Sequence, residues 1–488
     1  MNTFNRKFTA NWKLTAITAT LVLAGCSTAK PPESVQLDLP AEYREAASLD
    51  GAWKEAVPAD NAERGQWWLI YNNAELDTLV DEATRSSPTL SIALSRVKEA
   101  RANAGIVDAN RGFQLNGGVG PTRQRDANTV NGVPATSTEW RAQVNASYEV
   151  DLIGRLSDES RAAKLDAESQ EAAYRSILLA LQADVAQQYF SIRALDSELA
   201  ILQKNIDLRK EELRLVQYRY DVGDTSELDV ARAWTELSVV QAEEESVKRQ
   251  RALQDHALAI LLGKAPAQFT LAVAPIQPNT VVVPAGLPSD LLERRPDIAQ
   301  AQRQLAAASA RVGAAKAAFF PKLVLTGTGG YESSELGDLF KWSSRSWLLG
   351  PLVGTALTLP IFDGGRNKAY LARANATYES QVSNYRQQVL VGFQDVENSL
   401  SSLKTLDRQI GYQDQAIASA SQAARLADIR YKNGSYSYFE VIDAQRTSLA
   451  AERAQIQSMG LRSVASVSLI RALGGGWGTP ATKVATSK

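Results

Sequence analysis

The chain has 488 residues, and 53 Lys plus Arg stand against 54 Asp plus Glu, a formal net charge of −1. That balance excludes the basic excess of a general nucleic-acid binder. A hydrophobic content of 44% and a mean hydropathy of −0.23 exclude a disordered chain and a bundle of membrane helices. One cysteine and one histidine exclude an internal disulfide and all but exclude a His- or Cys-based metal site.

The cysteine lies in a leader. Arg6, Lys7 and Lys13 form a basic region, Leu14 to Leu23 is an apolar run too short to span a bilayer, and Leu23-Ala24-Gly25-Cys26 follows. This segment resembles a bacterial lipobox, which implies lipidation of Cys26 after removal of residues 1–25; the alternative is an ordinary signal peptide with a chance cysteine. Several acyl chains anchor stably, because each buried CH₂ adds about 0.8 kcal/mol. In such lipoproteins Ser27 leans towards the outer membrane, where Asp would favour inner-membrane retention. Removing the leader moves the net charge from −1 to −4.

Strand signals come next. From Trp140 to Asp151 the chain alternates, with Trp140, Ala142, Val144, Ala146, Tyr148 and Val150 on one face and polar residues on the other. That length suits a transmembrane barrel strand of about 9–11 residues. Phe113 to Val119 alternates before it, and Lys322 to Tyr331 and Trp347 to Ile361 occupy the same places later, the last with Trp347, Leu349, Val353, Leu357 and Leu359 on one face. A soluble sheet with one wet side is the alternative; aromatics near strand ends favour the barrel.

Long helices follow each strand pair. No proline lies between Pro134 and Pro266 or between Pro360 and Pro480, and Arg155 to Val222 has neither glycine nor proline. As one helix this stretch is about 100 Å long at 1.5 Å per residue. A heptad seam runs from Tyr174 through Leu202 to Tyr220, interrupted only by the polar Gln188 and Arg209. A second, shallower seam runs from Tyr385 to Tyr431, and Gly392 and Gly411 are expected to make that helix less rigid. Gly223 and Gly434 read as C-cap glycines, and Ser226-x-x-Asp229 and Ser437-x-x-Glu440 as capping boxes that open returning helices to Leu262 and Leu473. Shorter helices follow Pro88 and Pro296, to about residues 110 and 318.

These elements repeat. Arg219-Tyr220-x-x-Gly223 matches Arg430-Tyr431-x-x-Gly434 at an offset of 211, as do Gly154-Arg155 and Gly365-Arg366. Pro88 with Pro296 and Leu115 with Leu323 match at 208. Two halves of this length read as a duplicated domain. The expected organisation is a leader at 1–25, an anchor and equatorial segment at 26–87, a first repeat at 88–262, a linker at 263–295, a second repeat at 296–473 and a tail at 474–488.

Several motifs together resemble one family. Besides the lipobox they are Trp67-Trp68, the segment Gly286 to Asp297 ending Leu291-Leu292-Glu293-Arg294-Arg295-Pro296-Asp297, the run Ala317 to Leu323, Phe362-Asp363-Gly364-Gly365-Arg366 and Val441-Ile442-Asp443-Ala444-Gln445-Arg446. They are similar to the TolC/OprM outer-membrane factors, specifically the NodT-type efflux lipoproteins; Ala299 departs from the Arg often found there. The resemblance implies a homotrimer with a shared twelve-stranded β-barrel, four strands per chain, in outer-membrane lipid. The barrel would continue into a long periplasmic α-helical barrel. The implied partners are a periplasmic adaptor and an inner-membrane efflux transporter, and the implied function is passive export of drugs or other small toxic compounds. Four strands of one chain cannot close a barrel, and an open edge is intolerable in lipid, so the strands independently require copies. A duct for secreted peptides and a structural coiled-coil lipoprotein remain alternatives.

A channel performs no bond chemistry, and no catalytic residue, metal site or cofactor is expected. Gly327-Thr328-Gly329-Gly330 lacks the Lys-Ser/Thr of a P-loop, and His256 is isolated. By the resemblance, Asp443 and Arg446 lie near a closed periplasmic end and contribute to its gate. A three-fold axis would gather three Asp443 carboxylates into an acidic ring that favours cations. Arg446 is expected to pair with Asp443 or a neighbouring chain. Asp229 and Glu440 are expected either to add acid to the pore mouth or to act as caps. Arg219, Tyr220, Gly223, Arg430, Tyr431 and Gly434 are expected at tips that face the adaptor.

Overall fold

The computed structural model describes residue 44 and residues 66–126, 135–277, 294–349 and 357–475. The leader with Cys26 and Ser27, residues 286–293 of the motif ending at Asp297, and Val353 lie outside the described residues. The chain is mostly helical with one sheet, in the order α1 (Ala74–Ser86), α2 (Pro88–Ala109), β1 (Gln114–Asp126), β2 (Ala135–Val150), α3 (Arg155–Asp221), α4 (Glu227–Leu261), α5 (Pro296–Ala317), β3 (Lys322–Ser333), β4 (Arg345–Leu349), β5 (Leu357–Thr358), α6 (Arg366–Lys432) and α7 (Tyr438–Ala472). The chain forms two compact units, one from Arg96–Glu171 and Gln300–Arg386, the other from Ala172–Ala299 and Gln387–Lys488 with Asp38–Ser95. None of the described helices is long and apolar enough to cross a membrane.

The first unit holds an antiparallel sheet in the order β1-β2-β3-β4, with β5 also pairing β3. The fourth strand expected from Trp347 to Ile361 is described in two pieces. Leu349 pairs with Gly327 and Leu357 with Leu323, while residues 350–356 lie outside the described residues. The register sets Leu115, Val119, Val144, Tyr148, Leu325, Tyr331, Trp347 and Leu357 on one face. Because strand side chains alternate, the other face carries Asn116, Gln143, Asn145, Thr328 and Glu332. On that polar face Arg141 reaches Glu139 at 2.7 Å and Glu332 at 3.0 Å, and Gln143 donates to Glu332 and Ser346.

The long helices start at matched backbone devices. Gly154 and Gly365 have φ of 81° and 84°. Just upstream, Asp151 accepts from the Ser157 N–H at 2.7 Å and Asp363 from the Asn367 N–H at 2.8 Å. These carboxylates satisfy N–H groups that a helix leaves free in its first turn.

The second unit packs α1 and the Trp67–Tyr71 turn against α3. Trp67, Trp68 and Tyr71 are buried with Leu179, Val185, Phe190, Leu258 and Ile470. Helix α1 was not read from the sequence; Asn73 caps it by accepting from the Leu76 N–H. Asp196, fully buried, joins Arg193 at 2.8 Å and Arg251 at 2.6 Å. The same arginines donate to the carbonyls of Ala272 and Leu271, which fixes the start of the linker on α3 and α4. Gly392 has a packing role rather than a loosening one. A Cβ there would lie 3.4 Å from Ile298 Cδ1 and 3.6 Å from the Arg295 side chain, whereas Gly411 faces open space.

That Arg295 side chain explains its motif. It is buried, bonds Asp297 at 3.0 and 2.6 Å, Asp395 at 3.0 Å and the Ala472 carbonyl at 3.2 Å. Asp297 also accepts from the Ile298 N–H and from Gln388, so the segment that opens α5 also pins α6 and α7. Burial raises the Asp297 pKa, but the Arg295 hydrogen bonds and charge outweigh it and hold the carboxyl below its ordinary range.

Candidate gate and tip site

Helices α3 and α6 end in the same way. Gly223 and Gly434 have φ of 77° and 73°, in the left-handed region. Asp224 N–H bonds the Arg219 carbonyl and Gly223 N–H that of Tyr220; Ser435 with Arg430 and Gly434 with Tyr431 repeat the pattern. This double bond closes the last helical turn and needs a residue that tolerates positive φ, hence glycine.

Of the two expected capping boxes only Ser437 with Glu440 is complete; Ser226 caps its helix by accepting from the Asp229 N–H, without the return bond from Asp229. Glu440 reaches back to the Ser437 N–H at 2.7 Å and its hydroxyl at 3.0 Å. Asp229, one methylene shorter, takes the hydroxyls of Thr225 at 2.8 Å and Ser226 at 3.1 Å, with Arg232 at 3.5 Å. The carboxylates of Asp229 and Glu440 are therefore committed to helix caps.

The equivalent tip residues have separated. The Arg219 guanidinium stacks on the Tyr431 ring at 4.8 Å, linking the two hairpins, and Tyr431 is buried beside Tyr438. Arg430 stays in its own hairpin and donates to Tyr436 at 2.6 Å, while Tyr220 is exposed.

Asp443 is exposed on α7, with Arg446 one turn further on. Arg446 does not take Asp443 as its hydrogen-bonding partner; it makes a two-pronged pair with Glu236 of α4, one bond at 2.9 Å. Helical spacing alone suggested Asp443, but the buried Glu236 offers both oxygens to the flat guanidinium fork. That pairing holds the Arg446 pKa above its ordinary value.

Beneath this pair lies a polar cluster. Arg209 is 1% exposed, 3.6 Å from Glu212 and 3.9 Å from Glu236, and none of its three guanidinium nitrogens has a hydrogen-bond partner. Gln445 donates to Glu212. Glu212 Oε2, Gln445 Oε1 and the Tyr431 and Tyr438 hydroxyls also lack partners. The residues bearing these four atoms line a cavity of about 1060 Å³, a polar space roomy enough for water. Burial pushes the Glu212 carboxyl and the Tyr438 phenol above their ordinary pKa values. The sequence offered one signal for this cluster, a charged Arg209 on an apolar seam; Glu236 gave none. Among the described residues no group of three or more His, Cys, Asp or Glu is placed to hold a metal ion.

The sequence model of the outer membrane efflux protein family matches residues 79–264 and 287–475. The pyoverdine export outer membrane protein OpmQ of Pseudomonas aeruginosa is 35% identical over 477 residues, 95% of this chain and 97% of OpmQ. The probable outer membrane lipoprotein SilC of Salmonella typhimurium is 31% identical over 469 residues, covering 95% and 99%. The structure is similar to the open state of the Neisseria gonorrhoeae MtrE outer membrane channel, with a TM-score of 0.79 and 30% identity over 92% of this chain and 98% of MtrE. With a two-faced sheet running into paired long helices and a match to both halves, the chain belongs to the outer membrane efflux protein family.

Proposed function

We propose that this protein is the outer-membrane exit duct of a three-part efflux system, a passive channel for drugs or other small toxic compounds. An inner-membrane transporter would supply the energy and a periplasmic adaptor would bridge to the hairpin tips. The observation that carries the reading is the sheet, with one apolar and one polar face and free edges at β1 and β4. In lipid those edges have to be paired. Three copies then give a twelve-stranded barrel with the polar face inward. Exposed Leu390, Tyr412 and Leu426 on α6 supply apolar surface for a neighbouring copy. Cys26 carries the lipid anchor, a reading supported by the lipoprotein name of SilC.

The chain is one unit written twice, with repeats at 88–262 and 296–473. The support is two helices of 67 residues and two of 35, each pair offset by 211. The gate is formed by Asp443 on the exposed face of α7, and the Arg446–Glu236 pair holds that helix closed until the hairpins rearrange like an iris. The adaptor meets Arg219, Tyr220, Gly223, Arg430, Tyr431 and Gly434. No reaction is catalysed and no cofactor is used.

The test is purification from outer-membrane fractions and insertion into planar bilayers. Heat-modifiable trimers with a small, cation-preferring closed conductance are expected, and Asp443→Asn should weaken that preference. Monomers that do not conduct would refute the duct; unchanged selectivity in Asp443→Asn would refute the gate.

A further inference from the structure

The apolar face of the sheet is not apolar throughout. Side-chain alternation along β1 puts Leu115, Val119 and Pro121 on that face, and continues it with Arg123 and Arg125. On the other edge Arg345 pairs with Tyr331 and shares the same face as Trp347. All three arginines are exposed, and among the described residues none has an ion-pair partner. Arg345 rests on the Trp342 ring and donates to the Trp342 carbonyl at 3.0 Å. Three nearby acids are spent elsewhere. Glu139 and Glu332 belong to the polar face and hold Arg141, while Asp338 pairs with Lys341 at 2.5 Å.

The height of these residues follows from strand geometry. The helices leave the sheet near Leu115, Val150, Leu323 and Leu357, and the strand ends at Asp126, Ala135, Ser333 and Arg345 lie opposite. Arg123 is eight residues above Leu115, and Arg345 is level with Tyr331, eight above Leu323. At about 3.3 Å per residue and a tilt of about 40°, both stand about 20 Å above the helical end, and Arg125 about 25 Å. The outward apolar band of a membrane barrel is about 25 Å tall. The arginines therefore lie at its upper rim, with Trp140, Tyr331 and Trp347 beside them in the manner of an interfacial aromatic belt.

We propose that Arg123, Arg125 and Arg345 bind the phosphate groups of an outer-leaflet glycolipid headgroup. This rests on the duct reading, which sets the hairpin end at the outer leaflet. Unpaired guanidinium groups at a lipid interface need an anion, and phosphate matches their fork. The arginines stand on β1 and β4, the two edges that close the ring, so the lipid covers the seams between copies.

The test uses the full-length protein in detergent, with lipid A and chemically dephosphorylated lipid A in phosphatidylcholine vesicles as probes, and measures lipid retained after extraction. The wild type should retain lipid A over its dephosphorylated form, and added salt should weaken retention. The combined variant Arg123→Gln, Arg125→Gln, Arg345→Gln should lose about tenfold or more, whereas Arg141→Gln, on the other face, should behave as wild type. Equal retention by the triple variant, no preference for the phosphorylated form, salt-insensitive retention, or displacement of lipid A by inorganic phosphate would each overturn the inference. A wild type that enters vesicles as a heat-modifiable trimer yet fails these tests refutes this inference alone; one that does not enter refutes the duct as well.

Discussion

Replacing Glu236 by alanine removes the carboxylate that joins α4 to both α7 and the buried Arg209. Its side chain is 5% exposed, and it faces Arg446 in a two-pronged pair and Arg209 at 3.9 Å. Removing one partner of a buried ion pair costs about 3–5 kcal/mol, because the remaining charge is left uncompensated. Here that charge is Arg209, already without hydrogen bonds; Glu212 stays beside it at 3.6 Å, which sets the loss at the low end of that range, about 3 kcal/mol. Arg446 is 58% exposed, so the charge that Glu236→Ala frees there is solvated; Arg446→Ala instead takes the hydrogen bonds from the 5%-exposed Glu236 and leaves it Arg209 at 3.9 Å, which should cost about 1–2 kcal/mol. If the closed arrangement bears the Glu236 loss, the open-to-closed ratio shifts by about two powers of ten. Trimers in planar bilayers would report this as a large rise in resting conductance for Glu236→Ala and a lesser one for Arg446→Ala. The double variant should match Glu236→Ala, since both residues share one interaction. Equal effects of the two single variants, or a resting conductance unchanged in Glu236→Ala while thermal stability falls, would refute the argument that this cluster holds the gate.

Other parts of the molecule make separate predictions. Burial raises the Glu212 pKa above its ordinary 4.5, so the folded state binds the proton more tightly than the unfolded chain. Stability should fall as pH rises from about 4.5 through the raised value, and Glu212→Gln should flatten that slope in thermal melts across pH. Arg295→Ala removes a buried guanidinium and leaves the half-buried Asp297 only the Ile298 N–H and Gln388 as donors, and should cost about 3 kcal/mol in chemical unfolding. The low Asp297 pKa adds stability that is present above 3.8 and lost as pH falls through the folded value, and the variant should lose this acid sensitivity. Gly223→Leu and Gly434→Leu, at positive φ with open space around each glycine, should cost about 1–2 kcal/mol each. Trimers should still form while whole-cell efflux is lost; retained efflux would refute adaptor docking at these tips. Arg141→Gln leaves Glu139 and Glu332 without their cation, and the reversal potential in a salt gradient should move towards cation preference.

The sequence revealed those features that depend on local rules. Alternation located β2, the absence of glycine and proline located α3, and Gly223 with Ser226 located the turn between α3 and α4. Each is a backbone preference expressed within one or two helical turns or a single strand. The Arg446 partner was not legible, because Glu236 lies 210 residues away and its spacing along α4 resembles that of any surface acid. The same holds for Asp196, which organises the linker from the middle of a helix. Asn73 marked the start of α1, but a thirteen-residue helix with one cap is a weak signal beside 67-residue neighbours.

The two halves share their backbone devices but not their buried charges. Gly154, Gly223 and Gly263 recur as Gly365, Gly434 and Gly474, all with positive φ, so helix lengths and turns are held equal. Arg209, Glu212 and Glu236, however, stand where the second copy has Ala420, Ala423 and Thr447. Equal lengths are required for both hairpins to end at one level, and that demand acts on the backbone. The side chains are free to make the hairpins unequal. Helix α3 buries apolar and charged residues along its length, whereas buried residues on α6 fall in two groups, Val389 to Ser399 and Ala427 to Tyr431. Within one chain, the helix with fewer buried contacts costs less to part from the other helices. On the proposed iris motion, α6 and α7 are therefore the moving pair, and the Arg446–Glu236 pair with the Arg219–Tyr431 stack are the contacts that must part from the anchored α3 and α4.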